Sequence, residues 1–118
     1  MINGTVSAAG DPTVMLPVAG QLWRAIVDTG FNGDLELPEA LRAHVQPLYM
    51  GQTTFILAGG LSITEESFEV QFPFDSNIVT AEATFVPSSG ILIGTRLMKN
   101  YHLEIDFPAQ TVELQRVP

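Results

Sequence analysis

The chain has no cysteine among its 118 residues. It can therefore form no disulfide, no thiolate metal site and no cysteine nucleophile. Basic residues are scarce as well, because five Lys and Arg stand against 13 Asp and Glu and give a net charge of -8. The field around such a protein repels phosphate backbones and anionic lipid headgroups. We therefore expect neither nucleic acid nor a membrane among its partners.

Long apolar runs and a leader-like start are also absent. No apolar run approaches the ~20 residues needed to cross a bilayer. The first residues, MINGTVSAAGDP, lack the basic start and the continuous apolar stretch of a secretory signal. We therefore expect a cytoplasmic protein.

Neither the two histidines nor a group of three glutamates predicts a functional site. His44 and His102 stand apart from each other and from any carboxylate cluster at ligand spacing. We therefore expect no metal site and no cofactor. Glu65, Glu66 and Glu69 fall on one predicted strand, and we interpret them as a solvated acidic face.

The size and apolar content of the chain favour one folded unit. Hydrophobic residues make up 46% of the sequence, and seven of them are Phe. This composition supports a packed core and argues against disorder. A chain of this length leaves little room for a second core, so we expect a single domain over residues 1–118.

Most of the sequence alternates between apolar and polar residues with a period of two, which is typical of strands that bury one face. The clearest case is the segment 101–107, in which Leu103, Ile105 and Phe107 alternate with His102, Glu104 and Asp106. Looser patterns of the same kind cover residues 13–18, 22–28, 53–57, 61–72, 78–86 and 111–117. Turn-forming residues separate these segments. The pattern predicts an all-β barrel or sandwich.

Only two short stretches favour helix. Pro38 suits a first helical position, and Leu37, Leu41 and Val45 recur four apart on one stripe. Thr95 can cap a second short helix over residues 96–99, and Asn100 can end it in the left-handed conformation. We therefore expect one or two short helices.

Residues Ala25 to Gly30 form an apolar strand that ends in Asp28, Thr29 and Gly30. A carboxylate directly after a buried strand lies at the edge of a low-dielectric region, where its charge needs stabilising hydrogen bonds. Gly30 allows the sharp turn that would bring backbone N–H groups to it. An ordinary Asp-Thr-Gly turn has the same sequence, so this tripeptide alone leaves both interpretations open.

A second apolar strand, from Ile91 to Thr95, meets a glycine in the same way. With the Asp-Thr-Gly strand and a Gly-tipped hairpin before it, this order of elements resembles the retropepsin-like aspartic peptidases, in particular their single-lobe bacterial branch. The resemblance covers about the whole chain and implies a closed or partly closed β-barrel. It also implies that Asp28 is catalytic, that Thr29 braces two such loops across a dimer axis, and that Gly30 contacts the substrate backbone. Ile93 and Gly94 would pack behind the catalytic loop.

The same resemblance implies a flap and a cleft. The flap matches the hairpin 55–62, which has Ala58, Gly59 and Gly60 at its tip. Phe31 and Asn32 follow the triplet and would line the cleft. Retroviral members usually have a small residue at the position of Phe31, so its ring is expected to narrow the cleft.

The number of carboxylates predicts the oligomeric state. Peptide hydrolysis by this route needs two carboxyl groups that share one proton. The chain has one such triplet, so two copies about a twofold axis would supply the pair. We therefore predict a homodimeric aspartic endopeptidase, which holds a water between two Asp28 carboxylates and acts on peptides or unfolded protein. The alternatives are a non-catalytic dimeric peptide-binding module on the same fold, and pairing with a different protein that has its own Asp-Thr-Gly loop.

Overall fold

Ten β-strands and one short 3-10 helix account for the regular structure of the protein, seen here in a computed structural model that describes all of residues 1–118. The strands are β1 (Ile2–Val6), β2 (Pro12–Val18), β3 (Gln21–Val27), β4 (Leu35–Pro38), β5 (Leu48–Ile56), β6 (Ser62–Phe74), β7 (Asn77–Val86), β8 (Ile91–Ile93), β9 (Tyr101–Asp106) and β10 (Thr111–Arg116). The 3-10 helix covers Glu39–His44. The structure contains no helix that could span a bilayer.

All ten strands belong to one sheet, in the order β5-β6-β7-β4-β8-β3-β2-β1-β10-β9. Most neighbours are antiparallel, but β3 pairs with β8 and β4 pairs with β7 in parallel. The predicted predominance of strands is therefore confirmed. The end strands, β5 and β9, are not hydrogen-bonded to each other, so closure into a barrel stays a prediction.

The core is a single cluster of 20 buried apolar residues drawn from most of the strands. Strand β2 shows why the period of two matters, because Val14, Leu16 and Val18 are buried while the residues between them are exposed. Phe72 and Phe74 of β6 are among the largest fully buried side chains. Removing each such side chain from water stabilises the fold by about 1.5–3 kcal/mol.

Two strands lie outside the segments predicted from the sequence. In β1, Gly4 interrupts the alternation because the backbones of β1 and β2 come very close there. A Cβ at Gly4 would stand 1.9 Å from the carbonyl oxygen of Thr13. Strand β4 is short, is apolar except for Glu36, and ends at Pro38. Four residues are too few to show an alternating pattern, so the sequence predicts only the helix that follows.

The first predicted helix is confirmed as the 3-10 helix Glu39–His44, with Leu41 fully buried in it and Val45 fully buried as its C-cap. Its predicted start is wrong, because Leu37 and Pro38 belong to β4 and Pro38 is the N-cap rather than the first helical residue. The second predicted helix, over residues 96–99, is wrong, since residues 95–100 form consecutive turns. The Thr95 side chain does not cap a helix, because its hydroxyl donates to the carbonyl oxygen of Phe31 at 3.4 Å, and its N–H donates to the same oxygen at 2.8 Å. Within the turns, the Met98 N–H donates to the Thr95 carbonyl oxygen at 3.2 Å and the Lys99 N–H donates to the Arg96 carbonyl oxygen at 3.4 Å.

Candidate active site

Asp28 follows directly after β3, a strand in the interior of the sheet. Ala25, Ile26 and Val27 of β3 pair in parallel with β8, and Val27 lies opposite Ile93. The ladder continues for one more step, because the Asp28 N–H donates to the Ile93 carbonyl oxygen at 2.9 Å. The backbone of Asp28 is thus fixed by the sheet, while its side chain is half-buried just beyond the C-terminal end of β3.

The loop after Asp28 folds back onto its carboxyl group. The Gly30 N–H donates to Asp28 Oδ1 at 2.9 Å, and the Phe31 N–H donates to the Asp28 carbonyl oxygen at 3.2 Å. A Cβ on Gly30 would stand 3.2 Å from Asp28 Oδ1, so a side chain there would crowd the carboxylate. Thr29 lies on the exposed side of this turn.

The segment after β8 holds the same loop from behind. Gly94 is buried, and its N–H donates to the Asp34 carbonyl oxygen at 2.9 Å. A Cβ at Gly94 would stand 2.0 Å from the Gly33 carbonyl oxygen, which leaves room for glycine alone. Thr95 adds the bond from its N–H to the Phe31 carbonyl oxygen. Residues 31–34 are therefore fastened to residues 94 and 95.

A network of charges reinforces this attachment. The Arg96 guanidinium donates to both Asp34 carboxylate oxygens, from Nε at 3.2 Å and Nη2 at 3.0 Å, and to Glu82 Oε2 at 3.0 Å. Glu82 Oε1 also accepts hydrogen bonds from the Ser67 hydroxyl at 2.7 Å and the Thr53 hydroxyl at 3.1 Å. The Ser67 and Arg96 bonds hold the pKa of Glu82 below its usual value. The hydrogen bonds of Arg96 to Asp34, the larger cause, and to Glu82 raise the pKa of Arg96.

Strands β5 and β6 form the hairpin expected at residues 55–62. The turn is closed by the Leu57 N–H, which donates to the Leu61 carbonyl oxygen at 2.6 Å, and by the Gly60 N–H, which donates to the Leu57 carbonyl oxygen at 3.1 Å. Gly59 and Gly60 have φ values of 89° and 83°, a region that side chains rarely adopt. Ala58, Gly59 and Gly60 are all exposed at the tip.

A cleft of about 440 Å³ lies between this hairpin and the loop after β3. Five of the predicted site residues line it, namely Asp28, Gly30, Phe31, Asn32 and Ala58. The other predicted site residues, Thr29, Gly59, Gly60, Ile93 and Gly94, lie outside its lining. Ile93 and Gly94 instead contact the loop from the interior, as the bonds above describe.

The Phe31 ring forms one wall of the cleft by packing against the hairpin. Its centroid is 5.8 Å from that of Phe55 in β5, with the two planes tilted by 58°. Both rings also line a second, smaller cavity of about 180 Å³, next to Asp34 and Arg96. An aromatic pair in contact across the loop and the hairpin limits the width of the cleft on that side.

Sequence reasoning missed two acidic residues of the cleft. Glu36 of β4 lines it together with Leu92 and Glu65. Burial raises the pKa of Glu36, and the nearby charges of Glu65 and Asp28 raise it further. Recognition of β4 would have found Glu36, because it alternates with two buried leucines. The interpretation of Glu65 as part of a solvated face is wrong, since β6 turns this half-buried side chain into the cleft.

Comparison with known proteins identifies the fold. A retropepsin-like aspartic protease from Rickettsia conorii superposes with a TM-score of 0.66 at 16% identity, over 96% of this chain and 88% of that one. The simian foamy virus protease gives a TM-score of 0.54 at 18% identity, over 74% of this chain and 91% of that one. The foamy viral protease-reverse transcriptase gives 0.60 at 19% identity, over 80% of this chain but 13% of that one. This chain therefore spans a small part of that longer protein.

No family model matches the sequence, and no curated protein matches it either. The likeness to solved structures is thus one of fold, and the neighbours that carry it are retropepsin-like aspartic proteases of viruses and of a bacterium.

Proposed function

From the retropepsin-like fold and the cleft built around Asp28, we propose that the protein is a homodimeric aspartic endopeptidase. One Asp28 from each chain would share a single water and a single proton. The observation that carries the proposal is the setting of Asp28. This residue is fixed by β8 through its backbone, accepts the Gly30 N–H at Oδ1, and opens into a cleft covered by a hairpin.

The need for a second chain follows from the chemistry. Activation of water calls for one ionised carboxylate, and polarisation of the scissile carbonyl calls for one protonated carboxyl group. The other aspartates, Asp11, Asp34, Asp75 and Asp106, are not followed by Thr-Gly. Asp34 forms an ion pair with Arg96, so we do not propose it as the second acid. A twofold axis provides the missing acid as a second Asp28.

The proposed reaction has two steps and no covalent acyl-enzyme. In the first, the ionised Asp28 takes a proton from the shared water as the water oxygen attacks the carbonyl carbon. At the same time, the protonated Asp28 of the other chain gives its proton to the carbonyl oxygen. A tetrahedral diol results. In the second, the carboxyl group that gained the water proton passes it to the amide nitrogen. The C–N bond then breaks, and the other carboxylate recovers a proton from the diol.

The substrate would be an extended peptide or an unfolded segment of protein. Such a chain can pair with strand edges in the cleft, beneath Ala58, Gly59 and Gly60 and beside Phe31 and Asn32. The Phe31–Phe55 wall would favour small side chains at the subsite it borders. A cytoplasmic location is part of the proposal.

The test is cleavage of a mixed peptide pool from about pH 3 to about pH 8 by the wild type and by Asp28→Asn. We expect the wild type to be most active at acid pH, because one carboxyl group of the pair must carry a proton. We expect Asp28→Asn to be inactive throughout. Equal activity in the two proteins would refute the catalytic role. Peptide binding by both without cleavage at any pH would favour the non-catalytic binding module.

A further inference from the structure

The cleft around Asp28 carries negative charge and no positive charge. Asp28, Glu36 and Glu65 all line it, and none of its 14 lining residues is a lysine, an arginine or a histidine. Arg96, which lines the smaller cavity next to the cleft, already forms ion pairs with two other carboxylates. The acids of the cleft are therefore without a cation from the lining of the cleft.

Glu36 belongs to a row of side chains that crosses three neighbouring strands. Strand β4 lies between β7 and β8, and Glu36 pairs with Thr84 on one side and with Leu92 on the other. Paired residues of neighbouring strands point to the same face of a sheet. The three side chains therefore lie side by side, and all three line the cleft.

Neither polar member of this row has a partner within the chain. Thr84 is only 3% exposed, yet it borders both the cleft and the smaller cavity. Its hydroxyl bonds to no other group of the chain, and no polar side-chain atom is sealed off without a partner, so the hydroxyl opens into this space. The half-buried carboxylate of Glu36 accepts no hydrogen bond either. Because buried polar groups are normally hydrogen-bonded, these two side chains are placed to receive a donor from a ligand.

The charge of Glu36 is unfavourable in the free chain. Burial raises the pKa of Glu36, and the charges of Glu65 and then Asp28 raise it further. An acid that is perturbed in this way inside a cleft is typical of a functional site. A cation between Glu36 and Glu65 would offset the repulsion between the two carboxylates and replace part of the hydration that burial removes.

From these observations we infer that the cleft binds a basic side chain of the peptide substrate, lysine or arginine, with its charged head between Glu36 and Glu65. The Thr84 hydroxyl accepts a third hydrogen bond from the same head. Two carboxylates and one hydroxyl match the three donors of a lysine ammonium group. Leu92 and Ile63, which also line the cleft, cover the apolar stem of the bound side chain.

A peptide side chain fits this place better than a free metal ion does. The chain groups no three His, Asp or Glu side chains closely enough to hold a metal, whereas a lysine or arginine is already held by the peptide that carries it. The inference rests on the proposed function, because the cation belongs to the peptide that the cleft is proposed to bind. It adds the charge of that peptide at one fixed distance from the scissile bond.

The test must separate this subsite from general attraction, because a net charge of -8 attracts any basic peptide. A peptide pool of random sequence is cleaved at about pH 6, where ordinary glutamates are ionised, and the products are sequenced by mass spectrometry. With the wild type we expect lysine and arginine to be enriched by about tenfold at one position relative to the cleaved bond, as a hydrogen-bonded charge pair would give.

Glu36→Gln should abolish this enrichment, and Glu65→Gln should reduce it. Glu66→Gln is the matched control, because it removes the same charge from an exposed residue beside Glu65 and should leave the enrichment unchanged. A residue with a merely structural role would alter the rate of cleavage at all sites and leave the preference at that one position as it was.

Retention of the pool on immobilised Asp28→Asn chains gives a measurement that needs no cleavage. Lysine and arginine should be enriched among the retained peptides, and adding Glu36→Gln, but not Glu66→Gln, should remove the enrichment. Such retention by a protein whose wild type cleaves nothing would support the subsite and refute the peptidase. Cleavage without a preference for basic residues at one position, or with one that Glu36→Gln leaves unchanged, would keep the peptidase and overturn the subsite. A pool that is neither cleaved nor retained through Glu36 would overturn both.

Discussion

Asp28 and Ile93 are joined through their backbones, because the Asp28 N–H donates a 2.9 Å hydrogen bond to the Ile93 carbonyl oxygen. The parallel ladder of β3 and β8 thus extends one residue past β3 and ends at the acid. Ile93 is fully buried, so the position of Asp28 depends on core packing at a strand distant in the sequence. The predictions below follow from this attachment and from the charges around it.

Gly94 and Gly30 should respond differently to the same substitution. Gly94→Ala would drive a Cβ into the Gly33 carbonyl oxygen, and we expect it to destabilise the fold by about 1–3 kcal/mol, as overpacking does. Gly30→Ala meets only Asp28 Oδ1 at 3.2 Å. It should leave the unfolding midpoint nearly unchanged while it lowers cleavage. Urea denaturation and peptide assays measure the two effects, and equal destabilisation by both variants would contradict this account.

Arg96→Met should destabilise the chain by about 1–3 kcal/mol, because it leaves Asp34 and Glu82 without their cation. Arg96→Lys is the matched control, and it should recover part of the loss because it keeps the charge but not the forked geometry. Urea denaturation of both variants at neutral pH measures the difference. Equal loss in both variants would show that the guanidinium geometry is immaterial.

The cost of Arg96→Met should also depend on pH. The pKa of Glu82 is lowered in the folded chain, so its contribution to stability is present above the unfolded pKa and is lost as pH falls through the folded value. The difference between wild type and Arg96→Met should therefore shrink below about pH 4. A difference that stays constant or grows on acidification would contradict the role given to the Arg96–Glu82 pair.

Glu36→Gln should raise stability at neutral pH. Burial raises the pKa of Glu36 above its unfolded value, so the folded chain binds the proton more readily and the ionised carboxylate opposes folding at neutral pH. The gain should be less than about 1 kcal/mol, since the side chain is partly exposed and solvent screens it. It should vanish as pH falls below the unfolded pKa. Thermal unfolding at neutral and acid pH measures this gain in stability. The control is Glu66→Gln, because Glu66 lies next to Glu65 in β6 but is exposed.

Thr29→Val should weaken the dimer while it leaves the subunit fold intact. Thr29 is exposed in the single chain and is proposed to brace the loops across the twofold axis. Loss of its hydroxyl on both sides should cost about 1–3 kcal/mol, which raises the dissociation constant by about 5-fold to about 150-fold. Thr29→Ser retains the hydroxyl and should dimerise as the wild type does. Sedimentation equilibrium of the three proteins decides the matter.

The sequence predicts best those parts of the protein in which local pattern and tertiary role agree. Apolar runs predict the strand that leads to Asp28 and the strand at Ile93, and each run is soon followed by a glycine. The hairpin is predicted by the alternation on both sides of Gly59 and Gly60. The buried stripe of Leu41 and Val45 likewise predicts the one helix that forms. In each case the residues that define the element are also the ones that the core or the turn requires.

Prediction fails where contacts distant in the sequence decide the structure. Residues 95–100 form turns, and Thr95 at their start is bonded through its N–H and its hydroxyl to the Phe31 carbonyl oxygen, a partner that no local window includes. Strand β4, with Glu36, is held between β7 and β8 and is too short for its own pattern to stand out. The place of Glu65 in the cleft depends on how the hairpin folds over the loop. These are properties of the assembled sheet rather than of any segment.

The central claim is that each active site takes one Asp28 from each of two chains, and subunit mixing tests it most directly. Wild-type chains are exchanged with an equal amount of Asp28→Asn chains, and peptide cleavage is measured per wild-type chain. If mixed dimers are inactive, random pairing leaves about half of the wild-type chains in active dimers, so activity per wild-type chain should fall by about half. Unchanged activity per wild-type chain would show that a single Asp28 suffices and would contradict the account.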